Sequence, residues 1–101
     1  MNGHRPEIPN GLIEDYCRRH GISKLSVFGS YLRDDFGPES DIDFLVEFHP
    51  GRIPGLLRLV RMERELSELL GGRKVDLRTA RELSRYFRDQ VVASAEVRYA
   101  E

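Results

Sequence analysis

The sequence predicts an α/β domain: one small mixed sheet of three strands with helices packed against it. Three observations carry that reading. Short β-type runs alternate with helical periodicity, and Gly or Pro clusters punctuate each change of pattern. The chain has 101 residues, 40% hydrophobic and 33% charged, enough for one self-supporting core and no second. Residues 1–101 are therefore read as a single domain.

The elements follow in order. After Pro9-Asn10, residues Ile13, Tyr16, Cys17 and His20 keep the i, i+3, i+4, i+7 spacing of an amphipathic helix, and Gly21 stops it. Lys24 to Phe28 is a short β-type run cut by Gly29-Ser30. Residues 30–36 suit one or two helical turns before Gly37-Pro38 breaks them. Asp41 to Phe48, rich in Ile, Phe, Leu and Val, is the best strand of the chain, and His49-Pro50-Gly51 ends it. Leu56 to Leu70 reads as a helix with Leu56, Val60, Glu63/Arg64 and Leu66–Leu70 divided into one apolar and one charged face, closed by Gly71-Gly72. Lys74 to Arg78 alternates Val75 and Leu77 with charged neighbours, as a half-buried strand does. Thr79-Ala80-Arg81-Glu82 fits a capping box that opens a helix through Phe87. A further helical or mixed segment runs from Val91 to Tyr99, giving the order α-β-α-β-α-β-α-α.

Charge and composition narrow the chemistry. There are 16 basic and 17 acidic residues, formally −1, with a pI near 6.3, less basic than a protein that neutralises phosphate backbones. Direct nucleic-acid binding is not expected. Residues 1–50 hold 5 basic and 9 acidic side chains, whereas residues 51–101 hold 11 and 8. Asp34, Asp35, Glu39, Asp41, Asp43 and Glu47 crowd one stretch with no Lys or Arg among them. Such a stretch repels nucleic acid and attracts cations. No run approaches eighteen apolar residues, and the first residues lead into no apolar signal segment. With one cysteine, Cys17, no internal disulfide can form, so a reducing cytoplasm is the expected compartment.

Asp41 and Asp43 stand two apart on a predicted strand, so their side chains leave the same face. Aspartate is a poor strand former and neighbouring carboxylates repel. A divalent cation removes the conflict, because oxygen-rich sites suit Mg²⁺. A frayed strand start in water is the competing account. Gly29-Ser30, ten residues earlier, ends a strand and opens a turn whose free amides and hydroxyl suit a phosphate, although Gly-Ser there also serves as a plain helix cap. Asp76 lies opposite the apolar Val75/Leu77 pair. As a sheet neighbour of Asp41 and Asp43 it completes three carboxylates able to hold two Mg²⁺ ions for phosphoryl transfer.

Gly29-Ser30-Tyr31-Leu32-Arg33, then Ser40-Asp41-Ile42-Asp43-Phe44-Leu45-Val46, then Lys74-Val75-Asp76-Leu77 together resemble the minimal nucleotidyltransferases (MNT proteins) of the DNA polymerase β-like superfamily. The similarity spans about residues 12–99. It implies a polymerase β-like nucleotidyltransferase fold, a small mixed sheet with flanking helices. It also implies that Asp41 and Asp43 bind both catalytic Mg²⁺ ions, that Asp76 binds one, and that Gly29 and Ser30 hold the triphosphate of ATP. Arg33 is a further candidate phosphate contact, with an exposed helix arginine as the alternative. The family often carries Gly after that Arg, where this chain has Asp34 followed by Asp35.

MNT proteins are commonly partnered with HEPN-domain ribonuclease toxins, and some attach AMP to a toxin tyrosine. The resemblance therefore implies an antitoxin that transfers AMP from ATP to a HEPN partner's tyrosine in a hetero-complex. A fold that neutralises its partner by binding alone is the alternative motivated by Asp34. An antibiotic nucleotidyltransferase of the same superfamily is the third, less favoured reading, since those enzymes usually carry a further domain for the drug and 101 residues are expected to leave no space for one. Cys17 is expected in a helix core, and His4, His20 and His49 make no zinc spacing. Arg58, Arg61 and Arg64 form a basic helix face, either solvated or set to meet an acidic partner.

Overall fold

The computed structural model describes residues 8–33, 37, 39–83, 85–86 and 88–101. Helix α1, Asn10–His20, buries Ile13, Tyr16 and Cys17 and ends where Gly21 turns left-handed at φ 69°. Any side chain at Gly21 would stand 2.7 Å from Arg52, so glycine is required on two counts. Strand β1, Ile22–Phe28, leads into a 3-10 turn at Gly29–Leu32. Strand β2 is Ile42–Phe48, helix α2 Leu56–Leu69 and strand β3 Val75–Arg78. A second 3-10 turn, Ala80–Glu82, precedes helix α3, Arg88–Ser94, and strand β4, Glu96–Ala100.

The sheet runs β3-β2-β1-β4. β1 is antiparallel to β2 and β4, while β2 and β3 are parallel, connected through α2. Strand alternation divides the two faces. Leu25, Val27, Ile42, Phe44, Val46, Val75, Leu77 and Tyr99 point into one core with Ile13, Tyr16 and Cys17 of α1 and Met62 and Leu66 of α2. The Tyr16 hydroxyl donates to the Met62 carbonyl at 2.8 Å, tying α1 to α2. Its burial, with Glu65 adding to the effect, pushes its pKa up, so it stays a donor. Burial also raises the Cys17 thiol to about 12, helped by Glu101, which makes it the expected inert core residue.

The mixed sheet and flanking helices match the prediction, with corrections at three places. The sheet has four strands, not three, because the segment predicted as helical or mixed from Val91 splits into α3 and the edge strand β4. Val97 and Tyr99 alternate with polar neighbours, which is a period-2 pattern. The helix expected from Thr79 through Phe87 is only the turn Ala80–Glu82. Its capping box forms as predicted, but Leu83 N–H closes a 3-10 bond to the Ala80 carbonyl and Leu83 itself is extended at ψ 144°, which ends the turn. Ser84 and Phe87 lie outside the described residues, as do Asp34, Asp35, Phe36 and Pro38 of the predicted 30–36 helix and its breaker. Finally, α2 buries a different stripe. Met62, Leu66 and Leu70 face the core with Leu59 and Leu69 packed alongside, whereas Leu56 is 76% and Val60 52% exposed. Glu63 turns inward because its carboxylate accepts the Leu77 N–H at 2.8 Å, satisfying one backbone donor of the edge strand β3.

Candidate active site

The face of the sheet away from α1 and α2 carries the carboxylates. Ile42 and Phe44 are wholly buried, so Asp43 between them must emerge on the other side. The parallel register sets Asp43 opposite Asp76, and the antiparallel register sets it opposite Phe28. Paired strands lie about 4.8 Å apart, so two aspartates are neighbours by backbone geometry alone. Asp41 stands one residue ahead of β2, where Ile42 N–H reaches the Lys74 carbonyl at 2.9 Å and opens the β2–β3 ladder. All three predicted carboxylates thus meet at one end of one sheet face. Among the described residues, no three His, Cys, Asp or Glu side chains are gathered tightly enough to form a finished metal cage.

Electrostatics explain that spacing. Asp43 is half-buried, and its carboxyl is held above the ordinary value first by burial, then by Asp76 and Asp41, with Arg78 and Arg33 opposing. Lys74 Nζ lies 3.8 Å from Asp41 Oδ2, so Lys74 balances Asp41. Arg78 has a second partner in Glu82, at 3.9 Å. A raised carboxyl between two others marks a place where a cation stabilises the charged form. The donor set, three carboxylates on adjacent strands, suits a hard divalent ion.

The Gly29-Ser30 turn touches this cluster directly. Gly29 has φ +71°, and a Cβ there would stand 2.6 Å from Asp43 Oδ2. The glycine is therefore the space that Asp43 occupies, as well as a turn-former. The Ser30 hydroxyl donates to the Asp41 carbonyl at 3.0 Å, so it fixes the entry to β2 rather than standing open. Arg33 is exposed and follows the turn. The Asp34 departure lies outside the described residues.

Two contributors escaped the sequence reading. Arg73 donates from Nη2 to the Gly37 carbonyl at 2.8 Å and to the Ser40 carbonyl at 2.9 Å. It thus anchors the approach to Asp41 onto the start of β3. No motif marks it; an arginine beside a Gly-Gly turn carries no local signal. The second is α3, whose Gln90, Val91 and Ser94 line one side of an open cavity of about 450 Å³ opposite Phe28, Gly29, Leu32 and Arg33.

The nucleotidyltransferase domain model matches residues 10–98. A protein of Methanocaldococcus jannaschii, named as a candidate protein adenylyltransferase, is 42% identical over 77 residues, covering 76% of this chain and 80% of that one. Protein adenylyltransferase MntA of Thermococcus cleftensis is 46% identical over 59 residues, 58% of this chain and 57% of that one. A solved toxin–antitoxin structure with AMP-PNP superposes with a TM-score of 0.72 at 22% identity, over 91% of this chain and 73% of that one. That last likeness speaks for the fold. With a matched model spanning nearly its whole length, the chain belongs to the nucleotidyltransferase domain family.

Proposed function

We propose that this enzyme is an antitoxin that transfers AMP from ATP to a tyrosine of a HEPN-type ribonuclease toxin. The observation that carries it is the seating of Asp43 between Asp76 and the Gly29 turn. Carboxylates and a phosphate-type turn in direct contact are what nucleotidyl transfer requires. Asp41, Asp43 and Asp76 would hold Mg²⁺, two ions being the expected complement, which when bound offsets carboxylate repulsion and the triphosphate charge. Gly29, Ser30 and Arg33 would take the phosphates through turn amides and the guanidinium.

In the reaction the tyrosine oxygen bonds to the α-phosphorus. The bond from that phosphorus to the bridging oxygen breaks, and pyrophosphate leaves. Asp76 accepts the phenolic proton. A protein acceptor is supported by two features. The relatives are named protein adenylyltransferases, and Ile53, Leu56, Leu57 and Val60 expose a run of apolar surface of the kind that marks protein contacts. The test is co-expression with a HEPN-domain ribonuclease toxin from the same organism, followed by intact mass measurement of the toxin. AMP-sized increments on the toxin, abolished by Asp41→Asn, are expected. An unmodified toxin, or increments that survive Asp41→Asn, would overturn the proposal.

A further inference from the structure

The cavity beside Gly29 has no assigned occupant. We propose that it receives the nucleobase of the substrate, and that Gln90 of α3 reads that base as adenine. The inference rests on the nucleotide-transfer reading and adds what the carboxylates cannot specify, namely which residue selects ATP. At about 450 Å³ the cavity falls in the range of small-molecule sites. Phe28, Leu32 and Val91 supply apolar walls, while Arg33, Gln90 and Ser94 supply the polar groups. An aromatic ring and two branched side chains suit the flat faces of a purine.

Position argues for the same occupant. Gly29 lines the cavity and is also the residue whose absent Cβ leaves room for Asp43. Phe28 lines it too and is the register partner of Asp43. A nucleotide with phosphates at the carboxylates therefore has this cavity one residue away for its base. Arg33 joins the two regions, since it lines the cavity and directly follows the turn that begins at Gly29. It can offer donors only, which suits phosphate or ribose oxygens rather than a base edge that needs both.

Gln90 is exposed on α3, and its amide has a donor and an acceptor side by side. That pair matches adenine, whose edge shows N7 as acceptor and N6 as donor. Guanine presents two acceptors there, N7 and O6, so the glutamine carbonyl would face O6 without a proton between them. The site therefore selects ATP over GTP by one amide.

The test measures binding of ATP, GTP and inorganic tripolyphosphate, each with Mg²⁺, to the purified chain by calorimetry. Wild type is expected to prefer ATP over GTP by about tenfold or more, the discrimination of one good bidentate pair. Gln90→Ala should bring the two within about threefold, and Ser94→Trp, which fills the cavity, should weaken both nucleotides. Tripolyphosphate should bind all three proteins alike, which also shows that the variants are folded. A preference for ATP that survives Gln90→Ala, or ATP affinity untouched by Ser94→Trp, would overturn the base site while leaving nucleotide transfer in place. Failure of wild type to bind any of the three probes would overturn both.

Discussion

Gly29 and Asp43 occupy what is nearly a single volume, and two predictions come from that crowding. Gly29→Ala places a methyl group 2.6 Å from Asp43 Oδ2 at a φ of +71°, so the turn and the carboxylate cannot both keep their places. The left-handed conformation alone costs about 1 kcal/mol or more with a side chain. AMP transfer should fall by about a hundredfold or more, since small displacements at a reacting centre weigh that heavily. Intact mass of the partner and a thermal melt read the two effects separately. Asp43 itself titrates above the ordinary 3.8 because of burial and then Asp76 and Asp41. Its ionised form is therefore disfavoured by the fold. Below about pH 4 the unfolded chain also holds the proton, and wild type and Asp43→Asn should melt together. As pH rises past the ordinary value toward the raised one, wild type alone loses stability, so at pH 7 without divalent ions the Asn variant should melt higher. Half-exposure screens the repulsion, which limits the gain to under about 1 kcal/mol, roughly 4 °C or less for a domain of this size. Addition of Mg²⁺ should narrow the gap. A variant melting lower than wild type at pH 7 would contradict the repulsion argument.

At the scale of elements, the site is a strand end held by its neighbours, and Arg73 is the clearest such tether. Its guanidinium bridges the Gly37 and Ser40 carbonyls, fixing the approach to Asp41. Arg73→Ala is expected to lower transfer about tenfold through loss of position and stability by about 1–2 kcal/mol through its hydrogen bonds. Arg73→Lys keeps the charge but reaches both carbonyls poorly, so it should restore only part of the activity. Full recovery in the lysine variant would mean that charge alone matters. The sequence betrayed the site through local chemistry. The Asp41/Asp43 spacing, Gly29-Ser30 and Asp76 each carry a conflict or a donor that short-range reasoning detects. Arg73 carries neither, because its carbonyl partners come from a loop more than thirty residues away. Much the same separates the legible elements from the rest. β2 and the body of α2 announce themselves by long apolar patterns. β4 and the stripe that α2 buries are decided by pairing with β1 and by packing on the sheet, which are tertiary choices. Leu56 and Val60 look like core by composition, and only the rotation of α2 about Met62 and Leu66 turns them outward.

Across the whole molecule the proposed function gives the two sheet faces separate duties, so that function should be removable without loss of fold. One face is sealed by α1 and α2 and clasped by Tyr16 on Met62 and by His20 and Arg19 on Glu65. The other bears Asp41, Asp43 and Asp76, none of which belongs to the buried core. Replacing all three with asparagine removes three like charges from one strand end and no core contact. The triple variant should therefore melt no lower than wild type at neutral pH and, under the proposed function, elute as the same complex with the HEPN toxin. Its partner's mass should carry no AMP. Growth of cells expressing the toxin then separates catalysis from simple occlusion. If transfer neutralises the toxin, the triple variant binds it and growth still stops. Continued growth with an unmodified toxin would show that the sheet's helical face and its exposed Ile53, Leu56 and Leu57 suffice as a plug, and that the carboxylates serve another purpose. A triple variant that fails to fold would refute the division of faces itself, because no core contact has been removed.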